Sequence, residues 1–263
     1  MQRVIKIMIN FRLLILIAIL FSAVNVFACS CAPSRVTDNF QQAEFVAKVK
    51  ILKVSQDTIN TDYHNAEIQM VTLYKGKPRT DIKILSVLNS SCAFLPEVNS
   101  TWIVFASVWQ GFLSFNFCSG SFQLDRAFDP IKYPNAKNNY RKSILLKEQV
   151  LAYLSHQNIL NPNPAGLFLF NKDLATIKGY TDKELFAVFK VELNVDLSIS
   201  KIEILKKFQN RALTEAVFNS IKNGLKIVKP SRNSITRPTN VIAFCYFYEG
   251  KDKDISFVSL NDV

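Results

Sequence analysis

The sequence predicts a β-rich barrel or sandwich with a trailing helix, followed by a smaller α+β unit. Three observations carry this. Five strand-like runs crowd into about 75 residues after residue 44, with no strong helical stretch between them. A helical period takes over at 138–155. After a Pro/Asn/Gly break at 161–166, the order becomes strand, strand, helix, strand.

The elements follow in order. Val36 to Glu44 reads as a short helix, and EFVAKVKILKVS, Glu44 to Ser55, as the first strand. NAEIQMVTLYKG, TDIKILSVL, STWIVFASVWQ and GFLSFNFCSG follow as strands, each ending in turn chemistry such as Lys75-Gly76-Lys77-Pro78. In 138–155, Tyr140, Ile144, Leu145, Val150, Leu151 and Leu154 fall near one helical face. NPNPAG at 161–166 marks a domain boundary, giving a first domain at 29–158 and a second at 165–263. In the second domain, Phe189, Val191, Leu193, Val195 and Leu197 alternate with polar residues, as in a half-buried strand. KIEILKK is its partner after a turn near Ser198 to Ser200. NRALTEAVFNSIKNG is a helix with Asn210 as N-cap and Gly224 as its stop. NVIAFCYFYEG is the closing strand, and the helix covers one face of the small sheet.

Residues 1–28 read as a signal peptide. Arg3, Lys6 and Arg12 form a basic front, Leu13 to Phe21 is apolar, and Val26 and Ala28 fit the small-residue rule for cleavage before Cys29. Export to the periplasm, the outer surface or the medium follows. Lipidation of Cys29 is the variant that would bring in a membrane, although Phe27 is bulky for that processing. Loss of the three leader cations takes the formal net charge from +11 to +8. The basic residues cluster at 132–147 and 201–237 without the interleaved aromatics of a nucleic-acid binder.

The chain has five cysteines: Cys29, Cys31, Cys92, Cys118 and Cys245. An oxidising compartment favours disulfides over zinc, and Cys-x-Cys is not the usual zinc spacing. A bridge within the Cys29–Cys31 pair is geometrically poor. Two pairings of the first four cysteines remain, and both staple the amino terminus to the barrel. Each could contribute on the order of 4 kcal/mol in the chain-entropy account. Cys245, in an apolar strand, reads as a buried inert thiol. His64 and His156 lack a nucleophile or ligand spacing, and seven glycines supply no phosphate loop. The chain therefore reads as a non-enzyme without a cofactor.

CSCAPS, NFQQAEFVAKVKIL, LYKGKP, Ser90-Ser91-Cys92 with Phe94, TWIVFA and Phe117-Cys118 together resemble the tissue inhibitors of metalloproteinases and their bacterial netrin-like relatives, over residues 29 to about 125. The resemblance implies a five-stranded OB-fold barrel, with Cys29 paired to Cys92 and Cys31 to Cys118. It also implies a zinc metalloprotease as partner. Cys29 would chelate the protease's zinc through its α-amine and carbonyl oxygen, and Ser30 would enter the specificity pocket, held by Cys31. Gln41 departs from the pattern: it stands where the animal inhibitors carry a further cysteine. More weakly, residues 165–263 are similar to the TonB carboxy-terminal domain. That likeness implies strand addition to an envelope protein, with Val241, Ala243, Cys245 and Phe247 on the edge strand. The anchor and long Pro-rich linker of TonB are missing.

Overall fold

The computed structural model describes residues 29–31, 34–230, 235–250 and 255–261. The expected signal peptide lies outside them. The fold is β-rich with few helices.

Helix α1 (Val36–Gln42) leads into strands β1 (Phe45–Gln56), β2 (Tyr63–Lys75), β3 (Asp81–Leu85), β4 (Thr101–Trp109), β5 (Phe112–Phe115) and the short β6 (Phe122–Gln123). β1 pairs antiparallel with β2 along one edge and with β4 along the other. The circuit β1-β2-β3-β5-β4 then closes through a parallel β3–β5 pairing, so the sheet is a five-stranded barrel with β6 appended to β4. Three register irregularities between β1 and β2 allow the long β1 to bend and serve both neighbours. Inside lie Val49, Ile51, Ala66, Ile82, Val104 and Phe115. Gly76 ends β2 at φ +94, where a Cβ would stand 2.6 Å from the Glu44 carbonyl oxygen, so only glycine fits. Beside it, the Lys75 ammonium donates to the Phe40 and Gln41 carbonyls at 2.7 and 3.0 Å. These are carbonyls of the α1 carboxyl end, where a cation also complements the helix dipole.

Helix α2 (Ala136–His156) buries Leu146, Val150, Leu151 and Leu154. The expected face is thus rotated: Leu146 replaces Leu145, which is half exposed, and Ile144 is only partly covered. The reason is that α2 is enclosed from two sides, by the barrel and by the sheet that follows, a demand that helical periodicity alone does not specify.

The second region contains β7 (Phe168–Phe170), a single 3-10 turn (Asp173–Thr176), β8 (Phe186–Leu193), β9 (Ile199–Lys206), α3 (Arg211–Gly224), β10 (Lys226–Val228), β11 (Thr239–Tyr248) and β12 (Phe257–Ser259). The main sheet runs β12-β11-β8-β9, and β7 with β10 forms a small separate ribbon. Asn210 caps α3, its side chain accepting from the Leu213 N–H at 3.1 Å. The alternation predicted through Leu197 stops at Leu193. Asn194 to Ser198 is a turn, with Leu197 at φ 68 and the Asn194 N–H bonded to the Ser198 carbonyl. Asn194 and Asp196 are turn formers that also fit a polar strand face, so the pattern ran past the strand's end.

Both faces of this sheet are covered, not one. Phe189, Val191, Ala243 and Cys245 face a core shared with Leu213, Val217 and Ile221 of α3. The alternate residues Phe186, Val188, Phe244 and Tyr246 face a second core. It also contains Leu146, Val150 and Leu154 of α2, Phe40 of α1, and Ile103 and Phe105 of the barrel. One hydrophobic core therefore runs from the barrel through α2 into the second sheet. The NPNPAG stretch between the two regions is an ordered turn at the surface. The Asn163 side chain accepts from the Leu167 N–H at 2.8 Å and donates to the Leu167 carbonyl at 2.9 Å.

Candidate functional site

Cys29 is bridged to Cys92, with Cα atoms 5.1 Å apart at a sequence separation of 63. Cys31 is bridged to Cys118, at 5.2 Å across 87 residues. Ser30 is exposed between two half-buried cysteines. The pairing implied by the resemblance is the one formed. Stable bridges of this kind belong to an oxidising compartment.

Each receiving loop is built to hold its cysteine still. In the loop between β3 and β4, Ser90 Oγ donates to the Val87 carbonyl at 2.7 Å and accepts from the Cys92 N–H at 3.2 Å. Two residues on, Phe94 turns inward, its N–H on Ser86 Oγ at 2.8 Å and its ring 5.5 Å from Trp102 and 6.0 Å from Phe115. After β5, Asn116 Oδ1 accepts from the Cys118 N–H at 2.9 Å. Gly120 then passes so close to α1 that a Cβ would lie 2.0 Å from the Asn39 amide nitrogen. The segments 29–31, 87–95 and 116–119 therefore form one rigid surface. On it Val87, Leu88, Leu95 and Phe117 are exposed.

The other residues expected to function lie elsewhere. Val241, Ala243, Cys245 and Phe247 are buried in the core beneath α3. Their strand, β11, is an inner strand. It pairs with β8 from Thr239 to Tyr246 and with β12 from Tyr246 to Tyr248, and the Ile242 N–H donates to the Pro162 carbonyl at 2.8 Å. β12 thus covers the expected edge only at Tyr246 to Tyr248. Along Val241 to Cys245 the side of β11 away from β8 meets the Pro162 carbonyl and, among the described residues, no strand, while the outermost strands of the sheet are β9 and β12. A sequence cannot show which strand is outermost, because β9 and β12 take their places by long-range pairing. Burial pushes the Cys245 thiol far above its ordinary value.

Among the described residues, no three His, Cys, Asp or Glu side chains converge on a metal position. The roles of Lys75, Phe94 and Gly120 were missed by sequence reasoning, although Lys75 and Phe94 lie inside the quoted motifs. Their task is to position backbone, and it becomes visible only when their partners are in place. No protein-family model and no curated protein matches this chain.

Proposed function

We propose that this is an exported, non-catalytic inhibitor of a zinc metalloprotease, acting through Cys29 and Ser30. The observation that carries the reading is the exposed Ser30 between two cysteines that are each cross-linked into a rigid loop. Cleavage after Ala28 would leave a free α-amine on Cys29. That amine and the Cys29 carbonyl oxygen can form a five-membered chelate on a partner's zinc and displace the water held at its open position. An α-amine titrates at about 7.7–8.0, so a useful neutral fraction exists near neutrality. The two staples lower the ordering cost of binding, and the apolar rim of Val87, Leu88, Leu95 and Phe117 offers contact area around the wedge.

Two further features support the reading. The circuit β1-β2-β3-β5-β4 with its parallel β3–β5 pairing is the order of an OB-fold, in which netrin-like domains are built. The order β8, β9, α3, β11 matches that of a TonB-like carboxy-terminal module. Strand addition at 241–247 forms no part of the proposal, since β12 already occupies the end of that edge at Tyr246 to Tyr248.

The test is to insert one alanine between residue 28 and Cys29 in the exported protein. Inhibition of a panel of zinc metalloproteases should disappear while both disulfides persist by mass. Inhibition that survives the insertion removes chelation as the mechanism.

A further inference from the structure

The part of α2 left out of the shared core faces something else. Lys137, Tyr140, Arg141, Ile144, Leu145 and Glu148 recur every three or four residues, so they share one side of the helix. That side lines an open groove of about 760 Å³, whose opposite wall is the chain leaving β6, from Leu124 to Phe128, with Lys48 of β1 at one end. The volume falls within the range of about 300–1,000 Å³ typical of sites for one small molecule.

Its chemistry is two-sided. Leu124, Ile144 and Leu145 supply aliphatic surface, and Phe128 and Tyr140 an aromatic wall. The wall is fixed: the two rings meet with centroids 5.2 Å apart, and the Tyr140 hydroxyl donates to the Gln123 carbonyl. The Arg126 guanidinium lies 5.4 Å above the Phe128 ring, which holds it at the rim. The acids of the groove are already engaged. Glu148 is paired with Lys48 at 2.9 Å. Asp125 accepts from the Thr101 N–H at 2.8 Å and the Gln123 amide at 2.9 Å. Among the described residues, Arg126, Lys137 and Arg141 have no ion pair. The donors to Asp125 are neutral and leave its charge in place, so Arg126, Lys137 and Arg141 outweigh it and give the groove a net positive charge over an aliphatic floor.

We propose that this groove binds a single-chain amphiphilic anion, one anionic head on one apolar chain. The head sits among Arg126, Lys137 and Arg141, and the chain lies along Leu124, Ile144 and Leu145. Guanidinium groups suit such a head because they donate two parallel hydrogen bonds to one carboxylate or phosphate. The site is independent of the Cys29 wedge and does not rest on the inhibitor reading.

The experiment uses the full exported, disulfide-bonded chain and dansyl-undecanoate, whose emission shifts to the blue in an apolar site. The expected result is saturable one-to-one binding, with displacement by dodecanoate and by dodecyl phosphate. Dodecanol and acetate should each compete at least about tenfold more weakly, since each lacks one half of the recognised chemistry. Arg126→Gln with Arg141→Gln alters exposed side chains only and should weaken the probe by about tenfold or more. Equal competition by dodecanoate and dodecanol, or undiminished binding by the double variant, overturns the proposal. So does binding to phosphatidylglycerol vesicles with none to the monomeric probe, which would mark a lipid-surface contact instead.

Discussion

Gln41 and Asn163 hold each other across 122 residues of sequence. The Gln41 amide donates to the Asn163 carbonyl at 3.0 Å and its oxygen accepts from the Asn163 N–H at 2.9 Å. A side-chain amide paired with backbone thus fastens α1 to the turn that enters the second region. Gln41→Ala leaves both backbone groups to find other partners and should cost about 1–3 kcal/mol. Urea denaturation of variant and parent under oxidising conditions measures this. A variant as stable as the parent would mean that water satisfies Asn163 equally well.

The continuous core makes a second prediction. Because Leu151 and Leu154 of α2 share a core with Phe186 and Phe244, the barrel and the second sheet should unfold in a single transition seen by every probe. A chain ending at residue 160 would expose that apolar face. It should be markedly less stable or associate, as calorimetry and sedimentation would show. Two separate transitions in the full chain, or an intact monomeric truncated form, would contradict the shared core.

Cys245 is fully buried, and burial raises its thiol pKa by disfavouring the thiolate. The native protein should therefore give no reaction with a thiol reagent at pH 8, and one equivalent per chain after unfolding without reductant. Reaction in the native state would show that the strand opens readily.

Asp57 carries the clearest pH dependence. Its carboxyl is held well below the usual carboxylate range by the Lys83 ammonium and then by the N–H groups of Asn60 and Ile59. A folded value below the unfolded one gives a contribution that is complete above about 3.9, the unfolded value, and lost as pH falls through the folded value. Acid should thus loosen the β1–β2 loop and the β2–β3 end of the barrel. Asp57→Asn should flatten the stability profile below pH 4, and an unchanged profile would assign acid sensitivity to other groups.

If Cys29 chelates zinc through its amine, inhibition must follow the neutral form of that amine. Affinity should rise about tenfold per pH unit up to roughly 8 and then level off, following the amine's titration. Carbamylation of the mature amino terminus should abolish inhibition at every pH. A flat profile, or inhibition by the carbamylated protein, would point to contacts other than the amine.

Local pattern determined much of this protein. The apolar runs of β1 and β4, the period of two in β8, the period near 3.6 in α3, the Asn210 cap and the Gly76 turn are all set by residues close in sequence, so they were legible there. So was the reading of Cys29 and Cys31 as cysteines each bridged to a partner elsewhere in the chain, because their spacing fits neither a bridge within the pair nor the usual zinc site. Tertiary structure decided what depends on long-range pairing. It placed β12 over the end of β11, buried Val241, Ala243 and Cys245 beneath α3, and turned the buried face of α2 toward Leu146. It also joined two apparent domains through one core and left Arg126, Lys137 and Arg141 without an ion pair among the described residues over an aliphatic groove. The physical reason is the same in each case. An apolar or charged side chain states what it must find, burial or a counter-charge, and only the assembled chain states which partner supplies it.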